Sequence, residues 1–239
     1  MKKITMLLMG LLLGCAGISA LAEDPANFLP KDAVLLLYFD AVRMTDMPWL
    51  KDIGSAHPDT SDKVKQFEAL CAQYQIKEND FFSGPVYVAA RDEDQIGIYA
   101  KTNISEEILP QFVSEMVKQG NKTVTVAEQT IADRKAFVFT DATGKNKTPE
   151  SFALLYLAKD VVMVFQVNAA NAELLKASTG GCALLSKIDR TQLAAFLCEP
   201  PKMLDASNAK PDVAMIDMRL DLTGAKQGDL KLSADVDFI

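Results

Sequence analysis

The chain has 239 residues, of which 49% are hydrophobic, and a formal net charge of −7 at pH 7. This length and composition are typical of a globular protein with a real core, in one large or two small domains. The acidic excess argues against non-specific binding to nucleic acid or to an anionic membrane, because both need a basic patch.

Residues 1–22 have the pattern of a cleaved export signal. Lys2 and Lys3 form a short basic start of the bacterial kind, an apolar run follows to Leu13, and the segment 20–22 reads Ala-Leu-Ala. Cleavage there removes two lysines and no acid, so the net charge falls from −7 to −9. We therefore expect a periplasmic or secreted protein, and no later apolar run approaches the ~18 residues that span a membrane.

A lipoprotein signal overlaps this site. Residues 12–15 read Leu-Leu-Gly-Cys, which would leave a lipid-carrying Cys15 as the first residue and anchor the protein to a membrane. Leu13 stands where such a signal needs a small residue, and residues 16–22 stay small and apolar where polar sequence is usual. Ordinary cleavage after Ala22 is the prediction, and the envelope-anchored lipoprotein is the alternative.

The half from 23 to 131 predicts alternating strands and helices. In chain order these are a strand at 33–39, a helix at 59–74, a strand hairpin at 85–91 and 95–101, a helix that begins between 105 and 110 and ends at Gly120, and a strand at 122–128. This βαββαβ order is ferredoxin-like. It predicts an antiparallel sheet with both helices packed on one face.

Met47, Trp49 and Leu50 lie in the mixed segment between the first strand and the first helix. They are a candidate contact patch for a partner. The alternative is that they pack under this segment as a satellite of the core.

The half from 132 to 239 is richer in strands, and it either forms a second unit or continues the first domain. Strands are expected at 135–140, 152–158 and 161–167, then a short helix from 168 to 178. Residues 191–198 fit a helical turn or a strand. Two period-2 strands, at about 213–222 and 230–238, end the chain in a hairpin, and we expect its Met218 and Val236 side chains to face the core and Asp217 and Asp235 to face water.

Cys71, Cys182 and Cys198 remain after signal cleavage. Export leads to an oxidising compartment, and two glycines before Cys182 give the chain freedom to bring Cys182 and Cys198 together. Either these two form a disulfide, or all three cysteines are buried thiols that pack as small hydrophobic groups.

A search for chemistry yields no catalytic, cofactor-binding or metal-binding residues. His57 is the single histidine and reads as a surface loop residue, so neither a Ser-His-Asp triad nor a multi-histidine zinc site is expected. The acidic turn 92–94 reads as solvated, and in the last hairpin Asp217 should lie near Asp235 or Asp237, with Arg219 beside them. We expect no cofactor and no metal, and a divalent cation bound by the acidic residues of the last hairpin is the alternative.

Residues 29–33 read Leu-Pro-Lys-Asp-Ala before an apolar strand and Asp40. This segment resembles the start of a loose group of exported bacterial α+β proteins of unknown function, and the resemblance covers about residues 29–54 and the general element order. It implies no catalytic residues. The sequence thus favours a non-enzymatic binding or interaction module of the cell envelope, with an unknown protein or small-molecule partner. The alternative enzyme is a carboxylate-dependent hydrolase, which needs a concave pocket holding two buried acids.

Overall fold

Ten segments rich in apolar residues are extended strands. They are β1 (Leu35–Phe39), β2 (Val86–Ala90), β3 (Ile96–Lys101), β4 (Val124–Ile131), β5 (Arg134–Asp141), β6 (Glu150–Ala158), β7 (Val161–Gln166), β8 (Ala194–Cys198), β9 (Val213–Leu222) and β10 (Leu230–Phe238). The computed structural model describes residues 23–45, 58–92, 94–120, 124–141, 150–168, 174–175, 181–199, 213–222 and 230–238.

Within these ranges the helices are few. The α-helices are α1 (Ala41–Thr45), α2 (Pro58–Tyr74) and α3 (Leu109–Gly120), and the 3₁₀ helices are η1 (Pro25–Phe28), η2 (Glu78–Asp80) and η3 (Ala183–Lys187). Pro110 stands in the first turn of α3, where its missing N–H leaves no helical hydrogen bond unmade. The regular part of this helix therefore begins after Ser105.

All the strands join one antiparallel sheet in the order β10-β9-β8-β1-β2-β3-β7-β6-β5-β4. The predicted α+β class with a mainly antiparallel sheet is confirmed, and so is the βαββαβ element order of the first half. β1, β2 and β3 are consecutive antiparallel neighbours, whereas β4 lies at the far edge of the sheet and pairs with β5. Strands from the two predicted halves also pair with each other, as β1 does with β8 and β3 with β7.

Side-chain alternation gives the sheet two faces. The tyrosine face carries Tyr38, Tyr87 and Tyr99 and is covered by η1, by Leu174 and Leu175, and by η3. The helix face carries Val86, Ala100 and their row mates and is covered in part by α2 and α3. Apolar groups therefore line both sides of the central strands, which explains their nearly continuous apolar sequence.

Close packing on the tyrosine face requires a glycine in β3. A Cβ atom at Gly97 would lie 2.8 Å from Met163 Cε and 2.9 Å from Leu174 Cδ2. Those distances are shorter than van der Waals contact, so the absent side chain lets the cover approach the sheet.

Most predicted elements are confirmed within a few residues. Residues 191–198, which fitted a helical turn or a strand, contain strand β8. The turn before β3 is held by Asp92, whose carboxylate accepts the backbone N–H groups of Asp94 and Gln95 at 2.9 and 2.7 Å. Most of the helix predicted at 168–178 lies outside the described residues, as do the signal segment with Cys15, His57 and the patch of Met47, Trp49 and Leu50.

Candidate functional site: the bare half of the helix face

One half of the helix face is a closed aromatic core. Phe112 of α3 is fully buried, and its ring lies 4.9 Å from Phe81, 5.8 Å from Phe67 and 5.9 Å from Tyr74, measured between centroids. The stripe predicted along α3 supplies Phe112 because apolar residues at helical spacing share one side of a helix. The core joins α2 and α3 to strands β2 to β7.

The other half of the same face is different. Among the residues that the structure describes, the buried cluster under α2 and α3 contains none from β1, β8, β9 or β10. One row of register partners crosses all ten strands on this face, and it shows the change. The row runs through Ala234, Met218, Phe196, Leu37, Val88, Ile98, Val164, Leu154, Phe137 and Glu128.

The row is apolar as far as Phe137, and its exposure is highest at the β9 and β10 end. Leu154 is buried, whereas Met218 is 37% exposed and Ala234 is exposed. Half-buried side chains occur in both halves of the row, and they are Phe196, Leu37, Val88, Ile98, Val164 and Phe137. The bare face is the set of half-buried or exposed side chains that β1, β8, β9 and β10 present on this side. Its members are Leu35, Leu37, Phe39, Phe196, Ile216, Met218, Ala234 and Val236.

No member of the bare face is charged or polar. Scattered single hydrophobic residues are normal on a protein surface, but a contiguous apolar patch marks a contact site. Sequence reasoning missed this set because it assigned the apolar residues of β1 and β9 to the core. A signal was present in β1, where apolar residues occupy both sides of a strand and both sides therefore need a cover.

The predicted orientation of the last hairpin is wrong for Met218 and Val236, whereas Asp235 is exposed as predicted. Its strands occupy the expected ranges and pair antiparallel, but Met218 is 37% and Val236 43% exposed. Met215, on the charged side of β9, is the buried residue, and the Arg219 guanidinium there approaches the Lys187 carbonyl of η3 at 3.5 Å. Period-2 alternation separates two faces but does not say which one meets the rest of the fold.

The charged side of the last hairpin carries aspartates, and an arginine of the same side pairs with one of them. Asp217 stands opposite Asp235, as expected, and Arg219 makes a bidentate contact to the Asp217 carboxylate at 2.9 and 2.6 Å. Hydrogen bonding to Asp217 raises the pKa of the Arg219 guanidinium. Across the described residues, no group of three or more His, Cys, Asp or Glu side chains is arranged to hold a metal ion.

Polar contacts around Arg190 join Asp24 to two tyrosines of the tyrosine face. Arg190 forms an ion pair with Asp24, and its backbone carbonyl accepts a hydrogen bond from the Tyr38 hydroxyl at 3.1 Å. The guanidinium lies 5.9 Å from the centre of the Tyr87 ring, a cation–π distance. Burial raises the pKa of Tyr38 to about 12 and raises that of Tyr87 further, so both phenols are neutral. This arrangement ties Asp24 to the loop before β8.

An open groove lies at the N-terminal end of α3 and carries several acids. Glu106, Glu107 and Glu128 are exposed there, and Asp160 is within 4.0 Å of the Lys101 ammonium. A general acid needs a pKa raised by burial. The groove's glutamates are not buried, so it does not provide the two buried carboxylates that the hydrolase hypothesis requires.

Cys71, Cys182 and Cys198 are buried thiols in the structure. Cys182 belongs to the core of the tyrosine face, whereas alternation along β8 places Cys198 on the helix face, in register with Ile216. These positions favour the alternative of packed thiols. Burial raises the pKa of both thiols, which lowers their reactivity.

Comparison with known proteins gives little. No protein-family model matches the chain, and no curated protein matches it. A solved structure described as crystal form I of TP0453 is similar over 91% of this chain and 80% of its own, with 10% sequence identity and a TM-score of 0.45. A likeness at that level carries no argument about fold or function. None of the described helices has the length and apolarity needed to cross a bilayer.

Proposed function

We propose that this chain is an exported, non-enzymatic interaction module of the cell envelope whose bare face docks a partner protein. The observation that carries the proposal is the bare face itself, an uncharged and partly exposed extension of a sheet surface that is covered elsewhere by α2 and α3. The export signal at 1–22 and the Leu-Pro-Lys-Asp-Ala segment at 29–33 support an envelope location.

The chemistry of the bare face favours a protein partner with an uncharged apolar surface. Burying charged partner groups against Phe196, Met218 or Leu37 would cost their hydration with no compensating ion pair. An anionic lipid surface fits less well, because the exported chain would carry a net charge of −9 once Lys2 and Lys3 are removed.

The direction of one carboxyl pKa argues against the enzyme alternative. Arg91 holds the pKa of Asp32 below its ordinary range, whereas a catalytic acid needs a raised pKa.

Site-specific photo-cross-linking in intact cells tests this proposal. A photoreactive phenylalanine analogue replaces Phe196 on the bare face or, in the control, Thr130, which is exposed on β4 at the other end of the sheet. We expect one discrete protein adduct from position 196 and none from 130. The adduct should disappear when Met218→Asp is added, and the purified partner should bind the parent protein and not that variant.

The same adducts at both positions, or an adduct that survives Met218→Asp, would contradict docking at the bare face. Export is tested separately by the intact mass of the protein from the periplasm. A first residue of Glu23 is expected, whereas a diacylglyceryl group on Cys15 would establish the membrane-anchored alternative.

A further inference from the structure

The sequence of β10 is complementary to itself when two copies of this edge strand are placed antiparallel. β10 ends the sheet and, among the described residues, pairs only with β9. Ser233, Ala234, Asp235 and Val236 are all exposed. A strand edge of this kind offers unpaired backbone N–H and C=O groups to any chain that can align with it. The question is which chain carries complementary side chains.

We propose that β10 pairs antiparallel with β10 of a second copy, around a two-fold axis through Ala234, to form a dimer with one continuous sheet. The register puts Lys231 of each copy opposite Asp237 of the other, so two opposite-charge pairs form at once. It also puts Leu232 opposite Val236 and Ser233 opposite Asp235. Directly opposite residues share a face in an antiparallel pair, so apolar residues meet apolar residues throughout.

The charges within one chain leave this match incomplete. Lys231 has Asp221 at its register position on β9, and Asp237 has Met215 there. A second copy supplies Lys231 to Asp237. The strand pairs with β9 without a register shift up to Asp237, so residues 231–237 lie symmetrically about Ala234 within a regular segment.

Other registers and the other sheet edge are less favourable. A two-fold axis through Asp235 would oppose two carboxylates. An axis through Ser233 would oppose Lys231 to Asp235 but would leave Asp237 outside the paired segment. At the opposite edge, β4, an axis through Ala127 opposes Val126 to Glu128, and an axis through Glu128 opposes two carboxylates. Neither of these two β4 registers forms the opposite-charge pairs that β10 forms.

The dimer goes beyond the proposed function, because it uses the strand edge and not the bare face. The two bare faces would nevertheless become contiguous, since a two-fold axis perpendicular to the sheet keeps them on one side. Lysines and aspartates on an edge strand also commonly prevent association. If Lys231 and Asp237 served that purpose, the protein would be strictly monomeric.

A charge-swap experiment on the mature full-length chain tests the pairing. Sedimentation equilibrium should show a dimer for the parent. Lys231→Asp and Asp237→Lys should each raise the dimer dissociation constant about tenfold, because each places like charges opposite one another twice. The double variant Lys231→Asp/Asp237→Lys should return to the parent value.

A cross-link provides a second measurement that does not alter these charges. Ala234→Cys places its thiols at the two-fold axis, so a short bismaleimide should join two copies, whereas Ala127→Cys on β4 should give little product. The buried cysteines of the unmodified parent serve as the background. A monomeric parent, a dimer insensitive to the single variants, a double variant that is not restored, or equal cross-linking at 234 and 127 would each overturn the proposal.

Discussion

The two halves of the helix face carry similar apolar residues, which are buried under helices in one half and partly exposed in the other. In the covered half, Leu154 of β6 and Phe112 of α3 are buried in the same cluster. In the bare half, Phe196 and Met218 remain in contact with water. Full burial of such a side chain contributes ~1.5–3 kcal/mol. The bare half therefore holds stabilisation that the described fold does not use and that a partner would realise. The comparison teaches that apolar sequence marks what must be covered and does not say by which molecule.

The largest effect on stability is expected from a substitution at the centre of the covered half. Phe112→Ala removes a fully buried ring that three other rings contact, so the free energy of unfolding should fall by ~3–5 kcal/mol. Urea denaturation followed by circular dichroism measures this loss.

Phe196→Ala is the matched control in the bare half. The same atoms are deleted, but the ring is already half in water, so the loss should be well below that at Phe112. Equal losses at the two positions would show that residues outside the described ranges cover the bare face, and the comparison would fail.

The location of the strands could be predicted from sequence because local signals agreed. Pro85, Asp92 and Gly120 punctuate the chain, and period-2 or continuous apolar runs fill the intervals. The order of the strands in the sheet could not be predicted, because β1 pairs with β8 across more than 150 residues. No local propensity records such a pairing, and its cost in chain entropy is set by the whole topology.

A smaller effect is expected where the covered half is tied to the loop before α3. The Tyr156 hydroxyl donates a hydrogen bond to the Ile104 carbonyl at 2.7 Å. Tyr156→Phe should lower the free energy of unfolding by about 1 kcal/mol, the usual net value of one hydrogen bond. Denaturation at neutral pH measures it.

The same residue predicts a loss of stability in alkali. Burial, followed by the charge of Glu106, raises the pKa of Tyr156 above its ordinary value of 10.0. The folded state thus holds the phenolic proton more tightly than the unfolded chain does. This contribution is complete below about pH 10 and is lost as the pH rises towards the folded pKa. The parent should lose stability more steeply than Tyr156→Phe in this window; identical slopes would contradict the assignment.

An ion pair near the start of β1 should contribute less. Arg91 holds Asp32 through hydrogen bonds of 2.8 and 2.6 Å, and these bonds lower the pKa of the carboxyl below 3.8. Asp32 is 56% exposed, so Asp32→Asn should cost at most about 1 kcal/mol. The cost is present above about pH 4 and vanishes as the pH falls through the folded pKa, since the paired carboxylate is then protonated. A cost that persisted in acid would point to packing as its origin.

The candidate site was harder to foresee than the fold. The leucine and methionine positions of β9 were identified as one face, and that grouping is confirmed by the register with β8 and β10. The exposure of Met218 depends on where α2 and α3 lie, and those helices cover β2 to β7 instead. Helix placement is a property of tertiary packing, so periodicity in β9 alone gave the right set of residues and the wrong environment for Met218.

The smallest effect on stability is expected at Met218, and it distinguishes the two halves most directly. Threonine keeps a high strand propensity while it removes the apolar chain, so Met218→Thr should change the free energy of unfolding by no more than about 0.5 kcal/mol. Leu154→Thr, in the same cross-sheet row but under the helices, should cost ~2–5 kcal/mol by loss of transfer energy and creation of a cavity. Binding of an apolar fluorescent dye should fall for Met218→Thr, because the dye reports exposed apolar surface, and should not fall for Leu154→Thr under conditions where it stays folded. If Met218→Thr were as damaging as Leu154→Thr, or left dye binding unchanged, the bare face would be part of the core and not a surface that awaits a partner.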